Sequence, residues 1–419
     1  MNYPVWYIPS IGGGTIIATI AIIHVFISHF AVGGGFWLVL LEGCARHRRD
    51  RPLYRFTRNF ARFFLFATLV CGALTGVGIW FAISLVQPSG TSALIHRFVF
   101  VWAAEWVLFL VEIVSIIVYL HTFDRLSSRR HLAIGGIYCA ASWLSLFAIN
   151  GIITFMLTPG VVARQGEVFS AFFNPTFFPS LLLRTCLAIL LSGLFVTAVA
   201  AFSKDRPLAR RLIRIAGAGC LVALGAALPA VFWYLKNLPA PVRTLVEGAS
   251  PTIVRSLAVA RPAAAILSVG ALLALWRPGR IGKPAAMIGL AAGLLLMGSF
   301  EWTREAARRP YVLQGSIYSN GQRADRPLKE PFLSSTPWSK STEPGRELFK
   351  FQCYACHTLG GINNDILQRT QGMDAPALEA YISQLHAIRP FMPPFIGSPD
   401  ERRDLAVWLA NQQRSGSKP

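Results

Sequence analysis

Long apolar runs separated by short polar ones dominate the chain. A helix needs about 20 apolar residues to cross the hydrocarbon core of a bilayer. Eight stretches reach that length: 12–41, 62–87, 97–121, 132–158, 178–203, 211–235, 252–276 and 283–303. The first is too long for a signal peptide and lacks both a basic leading segment and a small-residue cleavage site, so it counts as a span. Beyond residue 304 the pattern changes. A polar stretch rich in Pro, Ser and Gly runs to about 340 and reads as a surface segment and linker. The rest is a compact polar unit with helices of its own. The predicted architecture is all-α: an eight-helix transmembrane bundle over 1–311, a linker over 312–340 and a small domain over 341–419.

The connections alternate in charge. CARHRRDRPLYRFTRNFAR, DRLSSRR, SKDRPLARRLIR and WRPGRIGK follow the first, third, fifth and seventh spans. All four are basic and are expected in the cytoplasm. The other connections are poorer in Lys and Arg, so the N-terminus is expected outside, and eight crossings return the chain outside near residue 304. Composition agrees: 53% of residues are apolar and 14% charged, against about 25% charged in soluble proteins. Forty Lys and Arg oppose 20 Asp and Glu, a formal charge of +20. A nucleic-acid binder would gather such charge into stripes on a polar surface. Here long apolar blocks separate the basic clusters, so the partner is a membrane and not a nucleic acid. Disorder is excluded by 29 Phe and 11 Trp.

Residues 353–357 read Cys353-Tyr354-Ala355-Cys356-His357. C-x-x-C-H is the pattern of covalent c-type heme attachment. Both thiols add to the heme vinyl groups, and the adjacent histidine stands under the iron. A zinc site would want a second ligand pair, and none stands at suitable spacing. PGRELFKFQC reads as a short helix entering the motif, and SPDERRDLAVWLANQQ as a closing helix with Ser398 as its N-cap. Met392 lies 35 residues after His357, beside prolines and before the last helix. That placement resembles the distal ligand of class I cytochromes c, and Met373 is the competing sulfur. The resemblance implies a small periplasmic cytochrome c fold. A Met/His pair makes a high-potential electron-transfer heme rather than a catalytic one. Cys44, Cys71, Cys139, Cys186 and Cys220 are scattered through the helices or their ends and read as small buried residues.

Ionisable residues at bilayer depth are functional candidates. His24 and His29 lie on the first span, Glu105 and Glu112 on the third. At about 1.5 Å per residue, His24 and His29 lie roughly 15 and 22 Å below the outer end, and the glutamates roughly 13 and 24 Å. The two pairs occupy matching levels. The glutamates, seven residues apart, share a face. The histidines, five apart, point about 140° from each other and should not both face one iron. One histidine then serves a heme and the other a hydrogen bond or proton path; otherwise the four form a structural polar cluster. Asn150 and Arg184 are candidates to join them. Arg255 and Arg261 either reach the outer interface or, for Arg255, pair with a heme propionate or an acid. His47, His121 and His131 sit at cytoplasmic ends and suggest interfacial or loop roles. His96 and His386 read as surface residues.

The helices resemble subunit I of the cytochrome bd quinol oxidases over residues 1–311. HVFISHFAVGGGFWLVLLEG resembles that family's first helix and places His24 at the ligand of a high-spin heme. WAAEWVLFLVEIVSIIVYLHTFDRL resembles its third helix. Glu112 matches the second glutamate there, and Glu105 lies one place from the first. AINGIITFMLTP and REAARRPY resemble the family's A-N-G-W-M-x-x-P and A-E-Y-G-R-Q-P-W segments. The departures carry information too. The resemblance implies a His where Arg184 stands and a Met where Leu257 stands, so the low-spin heme b is expected to be absent. The quinol loop is cut to about 16 residues between the sixth and seventh spans. Gln314-Gly315 replaces the glutamate expected after G-R-Q-P-W, which puts a second high-spin heme in doubt. A ninth helix gives way to the cytochrome domain.

These readings predict a membrane-bound respiratory subunit passing electrons between a periplasmic c heme and a buried b-type or related heme. His357 and Met392 ligate the first. His24, with Glu105 or His29, serves the second. Arg308 and Arg309 are expected to hold propionates through charge-assisted bonds. Glu105 and Glu112 are the candidate catalytic residues, Glu112 passing protons. An open iron position would make the chain a cytochrome c-dependent oxidoreductase that reduces O2. The rival reading is an anchor and electron conduit with no heme among the helices. The expected location is the bacterial inner membrane, with the cytochrome domain outside. The expected partners are further membrane subunits in a hetero-oligomer and a periplasmic cytochrome c or another carrier.

Overall fold

The computed structural model describes residues 5–159, 168–324, 333 and 342–416. Eight long helices carry the eight apolar runs. They are α1 (Gly13–His47), α2 (Arg51–Val86), α3 (Pro88–His121), α4 (Ser128–Leu157), α5 (Phe177–Ala201), α6 (Arg206–Lys236), α7 (Pro251–Trp276) and α8 (Lys283–Arg308). Each is long and apolar enough to cross a membrane.

Two helices begin well before the predicted boundary. The basic stretch before residue 62 is helical from Arg51, because Asp50 caps it by accepting from Leu53 N at 2.9 Å. Leu53, Thr57, Phe60, Ala61 and Phe64 form its buried stripe, and its arginines point away. α2 then passes through a π turn at Ala67–Cys71. α3 starts at Pro88 and bends at Phe98, whose φ and ψ are −123° and 28°. α6 and α7 tolerate internal Pro229 and Pro262, as membrane helices do when neighbours satisfy the freed carbonyl.

In lipid, close packing and small residues hold helices together more than apolar burial does. Gly33 shows this: a Cβ there would come within 2.0 Å of Ala188 O, so α1 and α5 touch backbone to backbone. Trp37, Phe30, Phe60, Phe64, Val196 and Leu212 fill the core beside this contact. α5 is the central helix, with 67% of its most apolar window buried, against 11% for α2 and for α3.

After α8 the chain forms a small antiparallel sheet of β1 (Tyr311–Leu313) and β2 (Ile317–Tyr318). Beyond residue 324 the expected linker, apart from Leu333, lies outside the described residues. The C-terminal domain contains α9 (Ala375–Ser383) and α10 (Pro399–Gly416), packed through Leu348, Phe349, Leu378, Leu405 and Leu409. Ser398 caps α10 as predicted: its Oγ accepts from Glu401 N at 3.2 Å, and Glu401 Oε2 accepts from Ser398 N at 2.7 Å. Val5 and Tyr7 pack into this domain's core, so the N-terminal segment belongs to it.

Candidate redox site

Cys353 ends a π turn at Phe349–Cys353, and His357 N donates to Cys353 O at 2.9 Å. Burial pushes the Cys353 thiol up to about 12 and raises Cys356 as well. Both stay protonated, whereas thiolate metal sites need the opposite. Among the described residues no group of three or more His, Cys, Asp and Glu is arranged to hold a metal ion. His357 Nδ1 donates to Asn364 O at 3.1 Å, which leaves Nε2 for an iron. Burial lowers its pKa to about 4, so the ring is in its neutral, ligating form. These residues fit a covalent heme.

Met392 lies half-buried on the loop before α10. His386 Nδ1 donates to Met392 O at 2.6 Å. Gln352, next to Cys353, donates to Ile396 O at 2.6 Å and accepts from Ile396 N at 3.0 Å. The loop is thus stitched to the motif. Met373 packs in the domain core instead. His386, expected as a surface residue, is a brace for this loop, because its ring nitrogen finds a backbone acceptor there.

The motif sits on one end of the bundle. A Cβ on Gly14, at the start of α1, would meet Ala355 O and Arg309 Nε at 3.0 Å. Cys356 Sγ lies 3.3 Å from Arg309 O and 3.1 Å from Ser319 Oγ. The two arginines differ. Arg308 Nε donates to Glu305 at 3.0 Å and Nη1 to Tyr311 O at 3.2 Å, so it is already engaged. Arg309 Nε and Nη2 are buried with no hydrogen-bond partner among the described residues. Of the pair, Arg309 has donors to spare for a propionate.

The four intramembrane candidates do not form one cluster. Thr75 Oγ1 donates to Cys71 O at 2.7 Å and lies 3.0 Å from His24 Nδ1. His24 Nδ1 therefore donates and Nε2 is left free. Gly76 faces the same ring, with its Cβ position 3.3 Å from His24 Cε1. His29 is 2% exposed. Its Nδ1 donates to Val25 O at 3.0 Å and its Nε2 has no partner among the described residues. It lies within the field of Arg184 and Glu301. Glu105 accepts from Ser145 Oγ at 3.1 Å on α4, and Glu112 also reaches Ser145. The histidines diverge as their five-residue spacing implies, while the glutamates face α4. Matching depth therefore brings no His to a Glu.

Arg184 joins neither pair. Its Nη1 lies 2.8 Å from Glu301 Oε1 on α8, with both side chains almost fully buried. Among the described residues, Glu301 Oε1 and Arg184 Nε and Nη2 have no hydrogen-bond partner. Arg304 Nε donates to Glu301 Oε2 at 2.9 Å. Asn150 Nδ2 donates to Phe177 O at 2.9 Å and ties α4 to α5. His131 is completely buried against Glu42, not in a loop, because both its ring nitrogens find acceptors. Arg255 lines a cleft of about 580 Å³ with Thr15, Ser256, Trp302 and Asn363 and meets no acid among the described residues. Cys186 and Cys220 are buried, while Cys44, Cys71 and Cys139 are half-buried.

The family described as cytochrome bd terminal oxidase subunit I matches residues 15–233, more than half of the chain. The chain belongs to that family. Residues 340–409 match a second family, described as cytochrome C oxidase, cbb3-type, subunit III. Among solved structures, the bd oxidase from Geobacillus thermodenitrificans shares the fold. Its TM-score is 0.62 at 15% identity, over 74% of this chain and 90% of that one. No curated protein matches. A bd-type membrane domain joined to a cytochrome c domain makes this a multi-pass membrane protein of respiratory electron transfer.

The bd-family match ends before α7 and α8. The guanidinium of Arg184 offers only donors and has no lone pair to give an iron. Leu257 packs into an apolar cluster with Leu157, Tyr234 and Ala307, joined by Phe391 from beside Met392. The residues at the implied low-spin site do not fit a heme. Sequence reasoning missed Glu301, although a carboxylate two residues inside the predicted end of a span was the available signal.

Proposed function

We propose that this bd-family chain is the electron-transfer subunit of a respiratory complex in the bacterial inner membrane. It exchanges electrons between a periplasmic c heme and a b-type or related heme beside α1, where O2 is reduced. Cys353 and Cys356 would carry the first heme, with His357 and Met392 as ligands and Arg309 on a propionate. His24 is the candidate ligand of the second, and His29 serves as a hydrogen-bonding or proton group beside it. Heme, when bound, supplies the electron and oxygen chemistry. The protein fixes each imidazole through its Nδ1, leaves Nε2 free and supplies carboxyl groups that hold protons at Glu105 and Glu112.

One observation carries the reading: Tyr354 and Ala355, inside the motif, lie against Gly13 and Gly14. The motif therefore stands over the helix that carries His24, eleven residues on and roughly 16 Å lower. The basic connections support a cytoplasmic opposite end. The thin burial of α2 and α3 supports further membrane subunits on that side. A periplasmic cytochrome c or similar carrier would meet the C-terminal domain.

The Arg184–Glu301 pair favours a second reading, an anchor and conduit without a heme among the helices. A pyridine hemochrome assay, counting covalent and extractable heme separately, decides between them. The expected result is one covalent heme plus extractable heme, the latter lost in His24→Ala. Covalent heme alone, in protein purified with its partners, overturns the buried-heme reading.

A further inference from the structure

The cleft beside Arg255 runs along α1, α7 and α8 under the loop that follows the C-x-x-C-H motif. Its volume of about 580 Å³ suits one amphipathic molecule, since ligand pockets hold roughly 300–1,000 Å³. Its walls change character with depth. Thr252, Arg255, Trp302 and Asn363 line the end nearest the motif, and Phe26, Val259, Leu294 and Leu295 line the rest. Val259 and Leu295 are 42% and 54% exposed, so the apolar part opens to the side of the bundle. On α1 the lining runs from Thr15 to Phe26, eleven residues or roughly 16 Å. That is about half of a ~30 Å hydrocarbon core, the depth of one leaflet. A spanning helix from a partner would need a groove of the full depth.

The polar end suits an anion. Arg255 is exposed, and no acidic residue lines the cleft with it. Thr252 stands in the first turn of α7, where the N-cap Ser250 gives no side-chain bond to the free amides, and such amides favour negative charge. Trp302, a residue type that gathers at headgroup level, forms one wall, with the Arg309 guanidinium 6.0 Å from its ring centre. Glu301 and Glu305 on the same helix are taken up by Arg184, Arg304 and Arg308. A phosphate here meets a guanidinium with no competing carboxylate, whereas the ammonium of a zwitterionic headgroup finds no partner. The cleft also touches the loop that orients His357. Asn363 Nδ2 donates to Thr15 Oγ1 at 3.3 Å, and Asn363 O accepts from Thr358 Oγ1 at 2.8 Å. The next carbonyl, Asn364 O, accepts from His357 Nδ1 at 3.1 Å. Ile362, at the rim, is 83% exposed.

We infer that the cleft binds one anionic phospholipid from the leaflet on the motif side. Its phosphate pairs with Arg255, one acyl chain lies along α1 and α8, and Ile362 rests on its glycerol end. The lipid fastens the C-terminal domain to the bundle through the loop that orients His357. The inference goes beyond the proposed redox reaction and needs no heme among the helices.

The test uses the whole protein, purified gently with its partners and then washed of loose lipid in detergent. Native mass spectrometry follows the binding of added phosphatidylglycerol, phosphatidylcholine or inorganic phosphate. Hydrogen exchange follows the amides of residues 359–364. Arg255→Gln removes the cation, and Val259→Trp fills the apolar part. Arg261→Gln, on the same helix but outside the lining, is the control. Expected is one phosphatidylglycerol held by wild type and by Arg261→Gln, with loop exchange slowed when it binds. Arg255→Gln should bind it roughly tenfold more weakly, and Val259→Trp should lose it, both with wild-type covalent heme. Equal binding of phosphatidylcholine, or wild-type affinity in Arg255→Gln, overturns the proposal. Loop protection by inorganic phosphate alone marks a free-anion site and overturns the lipid assignment, as does a quinone recovered in place of phospholipid. If Val259→Trp does not fold, Arg255→Gln decides alone, because Arg255 is exposed and its replacement opens no cavity. A lack of extractable heme sinks the redox reading and leaves this result untouched.

Discussion

Arg184 and Glu301 meet at 2.8 Å with 1% and 2% of their side chains exposed. Removing one partner of such a pair strands a buried charge and costs about 3–5 kcal/mol, whereas an apolar replacement of both is often neutral. Arg184→Met is expected to lower the thermal midpoint in detergent markedly, and Arg184→Met with Glu301→Gln to recover most of the loss. Extractable heme should not change in either. Arg184→His with Leu257→Met should gain no heme, because the Glu301 carboxylate, still held by Arg304, would remain beside the new ligand. Heme assays on the double variant check this.

The distal loop offers a second test. His386 holds the carbonyl of Met392, and Gln352 holds Ile396 on the other side. His386→Ala should keep one covalent heme while loosening the sulfur. Carbon monoxide should then bind the reduced C-terminal domain, which difference spectra would show. A wild-type spectrum under carbon monoxide would mean that Gln352 holds the loop alone.

Asp50 joins three helices, capping α2 and reaching Arg211 at the head of α6 at 2.5 Å. Partial burial pushes its carboxyl pKa up, and the Leu53 N–H and Arg211 together bring it below the usual value. The folded value is the lower one. The stabilisation is therefore complete above about pH 4 and is lost as pH falls through the folded value. Asp50→Asn keeps the cap and loses the charge. Asp50→Ala loses the cap as well, at about 1 kcal/mol. Thermal midpoints at neutral pH should rank wild type above Asp50→Asn above Asp50→Ala. Wild type and Asp50→Asn should converge in acid.

Gly361 tests the seat of the C-terminal domain. A Cβ there would lie 2.1 Å from Ser10 O, closer than real contacts allow. Gly361→Ala should leave the covalent heme and its spectrum intact while displacing the N-terminal segment. Stopped-flow reduction should then show slower transfer from the covalent heme to the extractable one.

The eight crossings are legible because a bilayer imposes length and apolarity on contiguous residues. The motif at 353–357 is legible for a related reason, since its chemistry needs thiols and imidazole as near neighbours. The start of α2 is not, because Arg55, Arg58 and Arg62 suggest a loop until the buried stripe of Leu53, Phe60 and Phe64 is seen. Polar pairing across helices is also hidden. Glu42 and His131 are separated by 89 residues, and no local pattern announces that they meet. Depth along a helix is readable from counting, but the direction a side chain takes depends on which neighbour packs there. The levels of His29 and Glu112 could be counted, whereas their partners could not.

The N-terminal segment lies in the C-terminal domain, with Ile8 N donating to Tyr354 Oη at 2.9 Å and Leu359 N to Pro9 O at 2.9 Å. Two stretches 346 positions apart in the chain therefore pack as one. Until both have been made, the head of α1 stands without its partner. Once they meet, Cys353 and Cys356 stand half-buried beside them. Access to these cysteines is therefore set by how far the two stretches have docked, which couples the chemistry of the motif to the assembly of the whole membrane protein.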